Sequence, residues 1–175
     1  MNDVLYFVLA AVLLAFVWFL PKIRRRARGW GNEVGTRASE AYADGKLPGA
    51  LAALGETLVL ETDESTAARV VETAVATKPK RYRALGGGAY TAKFVEHGDV
   101  EVRLVPAGSG AQLQLESFRD YMKFPQGRRE WDDLRERVTA AAAAENVLVR
   151  AGELLTFERR EQVEESNYRW RRVSA

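Results

Sequence analysis

The chain opens on an apolar run, Val4–Leu20, that stops at Pro21 and meets five positive charges at Lys22, Arg24, Arg25, Arg26 and Arg28. No charged residue interrupts the run. As a helix rising roughly 1.5 Å per residue it would cover about 26 Å, a little short of a hydrocarbon core roughly 30 Å thick. Long basic side chains snorkel across such a shortfall. Tyr6 and Trp18 fall near its two ends, where aromatic belts form at water–lipid boundaries. A secretory leader would carry its positive charge before the apolar run and small residues at a cleavage site after it; here the charge follows. The sequence predicts a transmembrane anchor over residues 1–21.

The same charges predict an orientation. With all five on the C-terminal flank and none before the run, the positive-inside rule puts the N-terminus outside and everything after Arg28 in the cytoplasm, in a single-pass protein of the cell inner (plasma) membrane. Each cation is expected to hold anionic lipid headgroups with about 1 kcal/mol near the surface. The chain has no cysteine, which fits a reducing compartment. A pI near 9.0 would point to nucleic acid if the charge were spread over the chain. It is not: removing the five juxtamembrane cations from the net +2 leaves −3 on the remainder. Nucleic acid is therefore not an expected partner.

Residues 22–54 read as a basic juxtamembrane segment and connector. Glycines and "DGKLPG" break any long helix there, although Ala38–Ala43 and Pro48–Leu54 each have room for about two turns. The pattern sharpens over residues 55–150. "ETLVLET" reads as a short strand. Ala67, Val70, Val71, Ala74 and Val75 then recur at helical spacing, with Asp63 as N-cap, acidic Glu64 in the first turn and Pro79 past the end. Four period-two segments follow. Tyr82 and Ala84 share one face, as do Tyr90, Ala92 and Phe94, then Val100, Val102 and Leu104, then Leu113 and Leu115. "GGG", "EHGD" and "PAGSG" join them as short turns, so neighbouring strands are antiparallel, with the second face of the sheet wet. Trp131, Leu134, Val138 and Ala141 form one stripe of a covering helix. The charged C-terminal segment, residues 151–175, begins apolar enough for a last strand or docking piece and continues as a charged helix or tail.

The predicted fold class is α+β: a single transmembrane helix, then a two-layer domain in the order β-α-β-β-β-β-α with an antiparallel meander sheet. That order resembles the basic unit of the TATA-binding-protein-like class, to which the helix-grip domains (START-like, Bet v 1-like) are related. The resemblance is one of element order and covers roughly Gly55–Asn146. For helix-grip members it implies a cavity between helix and sheet that takes a hydrophobic ligand.

The residues offer little for catalysis. His97 is the one histidine; with Asp99 nearby it could be read as a base or metal ligand, but it falls at the tip of a hairpin, and with no cysteine it makes neither a metal site nor a nucleophile–base pair. "LGGGAY" (Leu85–Tyr90) has the glycines of a phosphate loop, but a strand follows where such a loop needs a helix. Asp132, Asp133, Glu136, Glu164 and Glu165 are interleaved with arginine and read as an ion-paired surface. No catalytic, cofactor-binding or metal-binding residue is expected, and no enzyme.

Two features suit partners. Ala11 and Ala15 make a small-xxx-small step that lets a second membrane helix approach closely. Tyr168, Trp170 and Arg171 are of the residue types enriched at interface hot spots. The sequence leads to a non-enzymatic accessory or assembly-stabilising subunit of a larger bacterial membrane complex, with integral membrane proteins and anionic lipids as partners. Small single-pass subunits of respiratory complexes have this layout, and the alanine- and arginine-rich composition is like that of actinobacterial proteins. The alternative is a membrane-tethered helix-grip module for a lipid or other hydrophobic ligand. It requires an apolar cavity on the order of 300 Å³ between helix and sheet.

Overall fold

The computed structural model describes residues 45–121, 124–164 and 167–173. The chain divides into two compact units, Met1–Gly45 and Lys46–Ala175, and every strand and helices α2 and α3 below lie in the second. The expected transmembrane anchor, Ala11, Ala15 and the five juxtamembrane cations lie outside the described residues. Among those described, no helix is long and apolar enough to cross a membrane.

Helix α1 runs over residues 45–55 and turns Leu47, Leu51 and Leu54 toward the core. After strand β1 (Leu58–Leu60) comes helix α2 (Glu64–Ala76), capped by Asp63, whose Oδ1 accepts from Thr66 N at 3.0 Å. That bond supplies an acceptor to one of the orphan donors of the first turn. The five residues read from the sequence as the apolar stripe of α2 are its five buried residues. Strands β2 (Tyr82–Gly86), β3 (Ala89–Lys93), β4 (His97–Ala107) and β5 (Gly110–Tyr121) follow as an antiparallel meander. Gly86, Gly87 and Gly88 all have positive φ, so the glycine triplet is the hairpin turn its period-two surroundings imply. Short β6 (Phe124–Pro125) leads into helix α3 (Arg128–Ala144). Trp131, Leu134 and Val138 are buried as expected, and Ala142 completes the stripe where the sequence suggested Ala141. The fold is mixed α+β on an antiparallel sheet; from β1 to α3 the elements follow the predicted order with β6 added, and β7, β8 and β9 come after.

β5 organises the sheet. Along one side it pairs with β4; along the other it pairs first with β1 through Ala111–Leu113 and then with β9 through Ser117–Arg119. Between those stretches the register with β4 slips by one residue: Glu101 lies opposite Ser117, but Val102 lies opposite Leu115. The extra residue, Glu116, is a bulge, and it lets Leu113, Leu115 and Phe118 all join the core on the helix-covered face.

Two expectations are corrected. Residues 151–175 do not continue as a charged helix or tail. β7 (Val149–Ala151) pairs with β1, and β8 (Phe157–Glu164) and β9 (Asn167–Arg172) form a hairpin that docks on β5. The reason is packing: Phe157 meets Phe118 edge-on at 4.9 Å and Trp170 lies parallel to Phe118 at 6.0 Å, closing the core beyond the bulge. Nor is the second face of the sheet simply wet. Gln112, Gln114, Ser117 and Arg119, all opposite the helices, are buried.

Candidate functional site

The polar face of β5 is where the described chain concentrates its buried hydrogen-bonding groups. Alternation along a strand sends Gln112 and Gln114 to one side while Leu113 and Leu115 go to the other. Gln112 Nε2 donates to Gln114 Oε1 at 3.0 Å, and Gln114 Nε2 donates to Glu116 Oε1 at 2.7 Å. The carboxylate sets the polarity of this ladder, because only an amide nitrogen can face Glu116. Arg172 Nε approaches the same oxygen at 3.6 Å. The ladder floors an open cleft of about 560 Å³ walled by Val59, Val105, Arg150, Glu153 and Arg172. Gly152 borders it because nothing larger fits: a Cβ there would stand 2.3 Å from Thr57 Oγ1.

Beyond the bulge the same face becomes ionic. Ser117 Oγ donates to Glu101 Oε2 at 2.7 Å, and Arg169 Nη1 donates to Ser117 Oγ at 3.1 Å and to Gly98 O at 3.0 Å. Arg119, almost fully buried, donates to Glu164 Oε1 at 2.8 Å and lies 3.6 Å from Asp99 Oδ1. Burial works against its charge. Its bond to Glu164, with Tyr121, Glu164 and Asp99 nearby, outweighs that and holds the guanidinium above its ordinary pKa. Asp99 in turn accepts from the Val95 and Glu96 backbone N–H groups and from Tyr121 OH at 3.1 Å. Burial, then the Asp99 charge, raises the Tyr121 phenol above its ordinary value. On the core side Asp120, wholly buried, accepts from Tyr168 N and from Trp170 Nε1 at 3.2 Å.

This arrangement pairs charges, Arg119 with Glu164 and Arg169 with Glu101. Ser117 is buried and its hydroxyl donates to the Glu101 carboxylate, which also faces Arg169 Nη1 at 3.5 Å. His97 begins β4; partial burial, then Arg83 and Lys93, push its imidazole below the ordinary value, and its Nδ1 has no hydrogen-bond partner. Among the described residues no group of three or more histidine, aspartate or glutamate side chains is placed to hold a metal ion.

Of the residues singled out from the sequence, Lys22, Arg24, Arg25, Arg26, Arg28, Ala11 and Ala15 lie outside the described residues. Tyr168, Trp170 and Arg171 all fall on β9. Trp170 is occupied inside its own chain by Phe118 and Asp120; Tyr168 is half-buried and Arg171 exposed. Sequence reasoning named Asp99 only as a neighbour of His97 and missed Arg119 and Asp120. Their signal was the period-two pattern of "NYRWRR", which marks a strand able to cover them, read instead as a terminal tail.

No protein-family model matches the chain, and no curated protein and no solved structure matches it.

Proposed function

We propose that the chain is a single-pass protein of the bacterial inner membrane whose cytoplasmic domain is a non-enzymatic accessory or assembly-stabilising subunit of a larger membrane complex, with a respiratory complex as the type whose small subunits share this layout. The observation that carries the reading is the charge-free run Val4–Leu20 beside five cations. The domain's interior supports it over the hydrophobic-ligand module. Trp131, Leu134 and Val138 of α3 are buried to within 1 % in the same apolar cluster as Tyr90, Val102 and Leu115 of the sheet, so the helix seats on the strands. On the opposite face Gln112 bonds Gln114, Ser117 bonds Glu101 and Arg119 bonds Glu164. What stays outward suits contact with protein: Leu148 and Leu154 are about 70 % exposed on either side of β7, a terminal strand of the sheet.

Purification of the tagged chain in a mild detergent, followed by mass spectrometry, tests this. A stoichiometric set of integral membrane proteins is the expected result. A monomer that carries bound lipid would overturn it in favour of the ligand module. Protease added to intact spheroplasts is expected to spare residues 46–173, and digestion of them would reverse the proposed sidedness.

A further inference from the structure

Alternation along β3 would put Phe94 in the core with Tyr90 and Ala92. The register instead shifts after Ala92, β3 ends at Lys93, and Phe94 is 40 % exposed. Its ring touches Tyr121 at 5.4 Å and walls an open cleft of about 620 Å³ at the start of α3, with Phe124, Arg128, Glu130, Asp132 and Glu136. Glu130 is the unusual member. Its side chain is 6 % exposed, its Oε1 lies 3.4 Å from Arg81 Nη1, and its Oε2 is buried with no hydrogen-bond partner. A desolvated carboxylate oxygen without a donor is strongly unfavourable until one arrives.

Several neighbouring donors are committed elsewhere, and Arg128 faces Asp132 at 3.5 Å. Lys78 and Arg137 bond Asp133, and Arg135 bonds Glu56 and Asp132. Tyr82 OH lies 2.6 Å from Asp133 Oδ2 and 3.0 Å from the Glu130 carbonyl oxygen. The positive end of α3 would ordinarily attract an anion, but Glu130 already supplies that charge. A second anion would meet Asp132 and Glu136 at the rim. Arg128 and Arg129 line the cleft too, but they are outnumbered there by Glu130, Asp132, Asp133 and Glu136, and neither bonds Glu130 Oε2. What that oxygen still lacks is a positively charged N–H donor on an apolar stem, and two phenyl rings are present to receive the stem and the cation. Those are the properties of an arginine or lysine side chain. Cytoplasmic loops of integral membrane proteins carry an excess of both.

We propose that this cleft receives an arginine or lysine side chain from a cytoplasmic loop of the membrane partner, its cation completing the Glu130 carboxylate between Phe94 and Phe124. The inference rests on the accessory-subunit reading for the source of the side chain, and on the cleft alone for its chemistry.

The test uses the full chain in nanodiscs of neutral lipid, titrated with a capped Gly-Arg-Arg-Gly peptide, the same peptide with citrulline for arginine, a Gly-Glu-Glu-Gly peptide, and spermidine. Saturable binding of the arginine peptide is expected, weakened at least tenfold by citrulline and by Glu130→Gln, with amide shifts confined to residues 94 and 124–130. Equal binding of the citrulline or acidic peptide, or shifts elsewhere, would overturn the proposal. Spermidine binding without peptide binding would also overturn it, in favour of a site for free polyamines. So would peptide binding seen only after Lys22–Arg28 are neutralised, since the chain's own cations would then fill the cleft. Should Glu130→Gln fail to fold, Phe94→Ala at the rim and the citrulline comparison on the wild type carry the same decision. Co-purification separates the two readings. Partners retained in full by Glu130→Gln remove this site and leave the accessory subunit standing; peptide binding with no co-purifying protein does the reverse.

Discussion

At Asn146 the backbone holds a φ of 55°, and Asn146 is the one such non-glycine among the described residues. It follows the C-terminus of α3, where Val147 N donates to Ala142 O at 2.8 Å and Asn146 N to Ala143 O at 3.2 Å. That pair of bonds is a Schellman closure, which requires a left-handed residue and tolerates asparagine there. Asn146→Val is expected to cost about 1–2 kcal/mol, while Asn146→Gly should match or exceed the wild type, both read from thermal unfolding. Asp133 offers a second test at this scale. Its carboxylate accepts from Arg137, Tyr82 and Lys78, and these bonds, the Arg137 pair foremost, hold its pKa well below the usual carboxylate range against the opposing effect of burial. A depressed carboxyl contributes stability that is present above the unfolded value and lost as pH falls toward the folded one. Asp133→Asn should therefore be less stable than wild type at neutral pH, and the gap should narrow as pH drops below about 3.9. A gap that stayed constant down to acid unfolding would show that the ion pairs contribute nothing.

At the scale of elements, legibility followed the strength of local pattern. The α2 stripe and the meander could be read because each repeats one period for its whole length and ends on a recognisable cap or glycine turn. The bulge at Glu116 was hidden, since a single inserted residue changes the facing of Phe118 without changing composition. The β8–β9 hairpin was hidden for another reason. Its strands are rich in arginine and glutamate, their buried aromatics Phe157 and Trp170 meet a partner distant in sequence, and the one short period-two pattern, "NYRWRR", is masked by its charge. The buried ionic face of β5 depends on that hairpin and was illegible with it. Helix α3 allows a quantitative test of how elements lock together. Trp131 is wholly buried and its Nε1 donates to Glu56 O at 3.0 Å, tying α3 to the segment between α1 and β1. Trp131→Ala should destabilise by about 3–5 kcal/mol through lost packing. In Trp131→Phe the volume lost is smaller, and the unpaired Glu56 carbonyl should add about 1 kcal/mol. Denaturant midpoints of both variants, at unchanged m-value, check the two contributions separately.

For the molecule as a whole, the issue is whether residues 151–175 are an appendage to the domain or part of it. The composition of the segment, charged and ending in "RWRRVSA", favours an appendage. Its contacts favour the other answer. β9 supplies the second neighbour of β5 over Ser117–Arg119, Trp170 and Phe157 cover Phe118, Glu164 is the hydrogen-bond partner of buried Arg119, and the Tyr168 N–H and Trp170 indole satisfy the wholly buried Asp120. A chain stopped before Phe157 would leave a buried arginine and a buried aspartate without these partners and one long strand edge bare. It would also strip Phe118 of Phe157 and Trp170, and losing that much buried aromatic packing costs several kcal/mol, a large share of the roughly 5–15 kcal/mol that a domain of this size holds. Deletion of residues 157–175 is therefore expected to abolish the cooperative thermal transition of the detergent-solubilised chain. Replacing exposed Arg171 and half-buried Tyr168 by alanine should leave the transition nearly in place. If the truncated chain instead melted cooperatively near the wild-type temperature, β5 would have to be self-sufficient, and the ionic network along it would be surface decoration.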